Sequence, residues 1–110
     1  MWIFTNKGFI SIVQHRDDPK TFLVRARRAE HLRNLFPNSE ILILDDADYR
    51  YRVVIPRDVA VRRISELVDN IDYPNFKSSI PADDRPYQDL CHSVWYDAYG
   101  FQRRTENDAH

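Results

Sequence analysis

Apolar residues fall in short β-rich runs in the first half of the chain and in helical stripes in the second. Residues 2–5 and 9–15 flank Asn6-Lys7-Gly8, which reads as a hairpin loop with glycine where the backbone must turn left-handed. After a turn at Arg16-Asp17-Asp18-Pro19-Lys20, residues 21–27 alternate, with Phe22, Val24 and Ala26 opposite Leu23, Arg25 and Arg27. Leu32, Leu35 and Phe36 have helical spacing within residues 28–36, and Pro37-Asn38 ends that helix. Residues 41–44 are a continuous apolar run that predicts a strand, followed by a turn at Asp45-Asp46-Ala47-Asp48. Residues 49–55 alternate again, with Tyr51, Val53 and Ile55 opposite Arg50, Arg52 and Val54.

The clearest amphipathic helix starts at Pro56-Arg57-Asp58 and carries the stripe Ala60, Ile64, Leu67, Val68 and Ile71. Pro74 excludes Tyr73 from the α region and closes it. A last helix is expected from Pro86 or Tyr87 to a C-capping Gly100, with Leu90, Val94, Ala98 and Phe101 near one face. The order of elements predicts an α+β fold, an antiparallel four- to five-stranded sheet with two helices on one face and a C-terminal helix. Without the first short strand the succession is ββαββα, a circular permutation of the ferredoxin-like arrangement. Strands 21–27 and 49–55 should be central, antiparallel neighbours, with 9–15 and 41–44 outside them. One domain is expected over residues 1–102, and a flexible tail over 103–110.

Length and composition keep this picture modest. A chain of 110 residues with 43% hydrophobic and 13% aromatic residues is long enough for one globular core and too apolar for a disordered chain. No apolar run reaches the roughly 18 residues of a membrane span, and no signal sequence is visible at the N-terminus, so a cytoplasmic location is expected. Cys91 is the only cysteine, which excludes an internal disulfide and any multi-cysteine metal site.

The net charge of −1 hides a gradient, from +4 over residues 1–36 to −5 over residues 37–110. Asp outnumbers Glu 13 to 4 and Arg outnumbers Lys 13 to 3, a bias toward turn formers and toward planar forks that grip anions. On the expected sheet, Arg25, Arg27, Arg50 and Arg52 share the face away from the helices. They form a candidate anion-binding face, or else pair with acids such as Asp89 and Asp97 of a last helix packed across the sheet.

A second cluster follows from lengths. A seven-residue strand and about 15 helical residues both span roughly 23 Å. Asp69 and Asp72 should therefore return to the end of the domain that carries Asp45, Asp46 and Asp48. Five carboxylates on one rim are either a solvated turn and helix end or an acidic docking surface for a basic partner; a divalent metal site is a third reading that no EF-hand spacing supports.

Catalytic motifs are scarce. The sequence holds no glycine-rich phosphate loop, no GxSxG and no HExxH. Cys91 and His92 are adjacent, so on a helix they diverge by about 100° and cannot couple as nucleophile and base. Neither catalytic residues nor cofactors are expected.

The segments Gly8-Phe9-Ile10-Ser11-Ile12-Val13, Asp48-Tyr49-Arg50-Tyr51-Arg52, Asp72-Tyr73-Pro74-Asn75-Phe76-Lys77 and His92-Ser93-Val94-Trp95 resemble a family of small bacterial proteins of unassigned function. That resemblance implies no active site. In size, expected fold and Asp-rich rim the chain is also similar to phage-encoded anti-CRISPR proteins, which block a nucleic-acid-binding surface without catalysis. The expectation is a non-enzymatic inhibitor, monomeric or weakly dimeric, that binds a basic protein surface such as a nucleic-acid-binding effector subunit. The alternative is a nucleic-acid-binding module using the arginine face.

Overall fold

The computed structural model describes residues 1–108. Among the described residues the elements are β1 (Trp2–Thr5), β2 (Gly8–His15), β3 (Asp18–Ala26), α1 (Ala29–Leu35), β4 (Leu42–Ile43), β5 (Tyr51–Pro56), α2 (Arg57–Asp69) and α3 (Arg85–Asp108), with one 3-10 turn at Lys77–Ser79. The packing divides the chain after Pro74 into two compact units.

In the first unit the strands form one open antiparallel sheet in the order β1-β2-β3-β5-β4. The central β3–β5 pair and the flanking β2 and β4 stand where the short connections and right-handed crossover put them. Register then decides the faces. Ile12 lies opposite Val24 and Val24 opposite Val53, so one side of the sheet is a row of apolar side chains. Ile10, Val24, Ala26, Val53, Leu32 and Leu35 are fully buried there, with Ala60 of α2 beside them. Burying a Leu or Val side chain contributes about 1.5–3 kcal/mol, so this row is a substantial part of what holds the unit together.

Local chemistry shifts several boundaries. Strand β3 starts at Asp18, inside the expected turn, because the Asp18 carboxylate takes the Lys20 N–H at 2.9 Å and the Thr21 hydroxyl at 2.8 Å. Helix α2 begins directly after Pro56, with Asp58 in its first turn complementing the helix dipole. Its expected stripe narrows. Ile64 and Leu67 pack against the core, whereas Val68 is 63% exposed and Ile71, past the end of the helix, is 52% exposed.

Gly8 occupies its position by necessity. Its φ is +153°, and a Cβ there would lie 2.5 Å from Cγ of His31. The imidazole is drawn that close because the Phe9 N–H donates to its Nδ1 at 3.1 Å. Gly8 is therefore the first residue of β2, paired with Thr5, and the loop shortens to Asn6-Lys7.

The second unit holds the 3-10 turn and α3. The helix does not stop at Gly100; it continues to Asp108, so residues 103–108 of the expected tail are helical, and 109–110 lie outside the described residues. Beyond the glycine, Thr105 Oγ1 donates back to the Phe101 carbonyl at 3.1 Å and Gln102 bonds Glu106 at 3.0 Å. Along one side His92, Trp95 and Tyr99 stack in succession, with the Lys77 ammonium 4.4 Å from the Trp95 ring centre. No helix among the described residues is long and apolar enough to cross a membrane.

Candidate functional site

The turn from β4 into β5 is built by its own aspartates. Asp48 accepts the Tyr49 N–H on Oδ1 at 2.9 Å, and its carbonyl accepts from Arg27 Nη1 at 2.8 Å. The Ala47 N–H donates to the Leu44 carbonyl at 3.1 Å and closes the turn. Behind it, Arg50 stands 3.9 Å from Asp45 and Arg52 stands 4.0 Å from Asp48. Both carboxylates remain open to water, with 83% and 72% of their side chains exposed. Pairs of that length and exposure are worth under about 1 kcal/mol. They orient the acids without neutralising them, and Asp46 between them is also exposed.

The four arginines do come together. Arg25 and Arg52 face each other across β3 and β5, with Arg27 and Arg50 at the same end of those strands. Their guanidinium groups, however, are employed inside the unit. Arg25 donates to Ser11 Oγ at 2.9 Å, and Arg25 and Arg27 both lie over the buried Tyr49 ring, 4.7 and 4.3 Å from its centre. Arg52 Nε donates to the Tyr49 carbonyl at 3.2 Å. The acids beside these arginines are Asp45 and Asp48 of the turn, while Asp89, an expected partner, pairs with Arg85 of its own helix at 3.4 Å.

Sequence reasoning passed over the aromatic neighbours on this face. Phe9 stacks on Phe4 at 4.2 Å, meets Trp2 edge-on at 5.9 Å, and lies 6.5 Å from Tyr49. The signal was available: in a hairpin pairing Phe4 with Phe9 and Trp2 with Ser11, these side chains must share one face.

The five-carboxylate rim does not form as one patch. Asp69 and Asp72 do return to the expected end of the sheet, since α2 runs antiparallel to β5. Asp72 there lines a pocket of about 360 Å³ with Ile3, Asn6, Lys7, Ile64 and Leu67. That pocket adjoins β1, whereas Asp45, Asp46 and Asp48 leave β4, at the opposite edge of the sheet. Four strand spacings of about 4.8 Å, roughly 19 Å, separate the two edges. The length arithmetic holds along the strands and fails across them. Among the described residues no three His, Cys, Asp or Glu side chains converge in a geometry that could hold a metal ion.

No family model matches the chain, and no curated protein or solved structure matches it either.

Cys91 lies buried in α3. Burial pushes its thiol up from the ordinary value of 9.0, partly offset by a hydrogen bond with Tyr87 and reinforced by the negative charge of Asp84. A thiol held protonated in that way is a poor nucleophile.

Proposed function

We propose that this chain is a non-enzymatic protein-binding module that docks a basic protein surface through the acidic turn between β4 and β5. One observation supports the reading: Asp45, Asp46 and Asp48 project from one short turn into water, with Arg50 beside Asp45 and Arg52 beside Asp48. Fixed, exposed carboxylates of one sign steer a basic partner into register and speed its association at low salt. Asp69 and Asp72 are left out of this surface. The ββαββα succession of β2 through α2, with β3 and β5 central, supports a permuted ferredoxin-like reading of this unit, in which end turns are free to carry binding residues.

The partner proposed is a nucleic-acid-binding subunit, because a surface that neutralises phosphates is the strongly basic surface such a turn complements. A phage or mobile-element inhibitor of a defence complex, resembling the anti-CRISPR proteins, is the sharpest form of this proposal. The test measures association of the chain with a panel of purified nucleic-acid-binding effector subunits, with and without their nucleic acid. Wild type should compete with the nucleic acid, and Asp45→Lys/Asp46→Lys should associate more slowly, with a flatter salt dependence and an unchanged thermal melt. Equal binding by both proteins would refute the role of the turn. A collapsed melt of the double variant would show that these aspartates hold the fold together.

A further inference from the structure

The strand that leads into the acidic turn is itself incomplete. Among the described residues β4 lies at the edge of the sheet and hydrogen-bonds only with β5. Leu42 pairs with Arg52 and Ile43 with Tyr51, and the Leu44 N–H donates to the Arg50 carbonyl at 2.8 Å. In an antiparallel ladder, hydrogen-bonded and non-hydrogen-bonded pairs alternate. Since Leu44–Arg50 is a bonded pair, Ile43–Tyr51 is not, and the N–H and carbonyl of Ile43 point away from the sheet.

The side chains around this open edge are apolar and in water. Leu42, Ile43 and Leu44 are 45, 60 and 49% exposed. Sheet edges are normally blunted by lysine, proline or a covering segment, because an open apolar edge recruits another strand. Here the stretch is bounded by acids, Glu40 before it and Asp45, Asp46 and Asp48 after it, all exposed.

We propose that β4 takes up an extended peptide segment of the partner as a sixth strand, one that is apolar at its centre and carries lysine or arginine at both ends. The backbone of Ile43 supplies the hydrogen bonds, Leu42 and Leu44 the apolar contact, and the flanking acids the choice of a basic strand. A second copy of this chain is the wrong occupant, since its own edge would bring Glu40 and the acidic turn against their like. The inference rests on the docking role given to the turn and adds how the contact is made.

The experiment titrates the isotope-labelled full chain with the peptide Lys-Lys-Val-Thr-Val-Lys-Lys, following amide shifts and hydrogen exchange. Shifts should concentrate in residues 41–46 and 50–52, and exchange of the Ile43 amide should slow. Ile43→Pro removes the outward N–H without touching a bond inside the sheet, and should weaken binding about tenfold, the effect of losing one hydrogen bond. The same peptide N-methylated at alternate amides should lose affinity similarly, and this arm leaves the protein untouched if the proline variant fails to fold.

If both arms bind like their parents while Asp45→Lys/Asp46→Lys loses binding, strand addition is wrong and the acidic docking surface stands. Absence of binding to the unmodified peptide overturns strand addition, while the competition assay above decides the acidic surface separately. Slowed Ile43 exchange at rising protein concentration without peptide would assign the edge to a second copy and overturn the proposal.

Discussion

Gly8→Ala should be among the most damaging single-methyl additions in the chain. The new Cβ would sit 2.5 Å from Cγ, 2.6 Å from Cβ and 2.8 Å from Cδ2 of His31, on a backbone whose φ is +153°. Two costs combine. A side chain on an unfavourable positive-φ backbone costs about 1–3 kcal/mol, and forcing atoms into a filled site costs about 1–3 kcal/mol more. The entropy gained by removing a glycine from the unfolded chain returns about 0.4–1 kcal/mol. The net expectation is a loss of about 1–6 kcal/mol, read as a lower urea midpoint at constant slope.

Relief of the clash must include the His31 Cβ, so the second variant is His31→Gly rather than His31→Ala. In that background Gly8→Ala should cost about 1–3 kcal/mol less, the packing share of the penalty. A cost below half a kcal/mol in wild type would refute the close approach of hairpin and helix. An equal cost in both backgrounds would place the whole penalty in the backbone and none in the imidazole.

Leu32→Ala, at a fully buried position, should cost about 2–5 kcal/mol by denaturant titration, whereas Val68→Ala, 63% exposed, should change stability by less than about half a kcal/mol. Similar values for the two would mean α1 and α2 are packed differently from this description. The Asp18 carboxyl is held below its ordinary value of 3.8 by the Lys20 N–H and the Thr21 hydroxyl. Its stabilising effect should be complete above that value and fade as pH falls through the lowered one, while Asp18→Asn should remove that part of the acid dependence. Identical acid melts for wild type and Asp18→Asn would count against the turn drawn here.

What could be read in the sequence was whatever repeats with a period. Alternation in residues 21–27 and 49–55 placed Val24 and Val53 on the buried face, and short connections with a right-handed crossover made β3 and β5 neighbours. The stripe of α2 gave its inward side but overreached at Val68 and Ile71, because a moment along the helix says nothing of where its neighbour ends. Gly100 read as a terminus because glycine is costly inside a helix, yet α3 runs on to Asp108 in spite of a penalty of about 1 kcal/mol. The rim failed for a different reason: strand and helix lengths fix position along the sheet, whereas Asp45 and Asp72 differ in position across it. The contact of Gly8 with His31 joins residues 23 apart and leaves no local trace.

The ladder also implies an order of assembly. β1, β2 and β3 follow one another as a meander, and the turn from β2 to β3 is closed by the pair His15–Asp18. β5 reaches β3 only when Ala26 meets Tyr51, which closes a loop of 24 residues (27–50) containing α1. Loop closure of that size costs entropy before any contact repays it. The meander can thus form early, β5 adds once α1 has folded onto it, and β4, bonded to β5 alone, joins last. The same sequence run backward makes β4 the first strand to open in the native state. Amide exchange at Leu44 should accordingly be far faster than at Val24, and the strand offered to a partner is the one the fold holds least tightly.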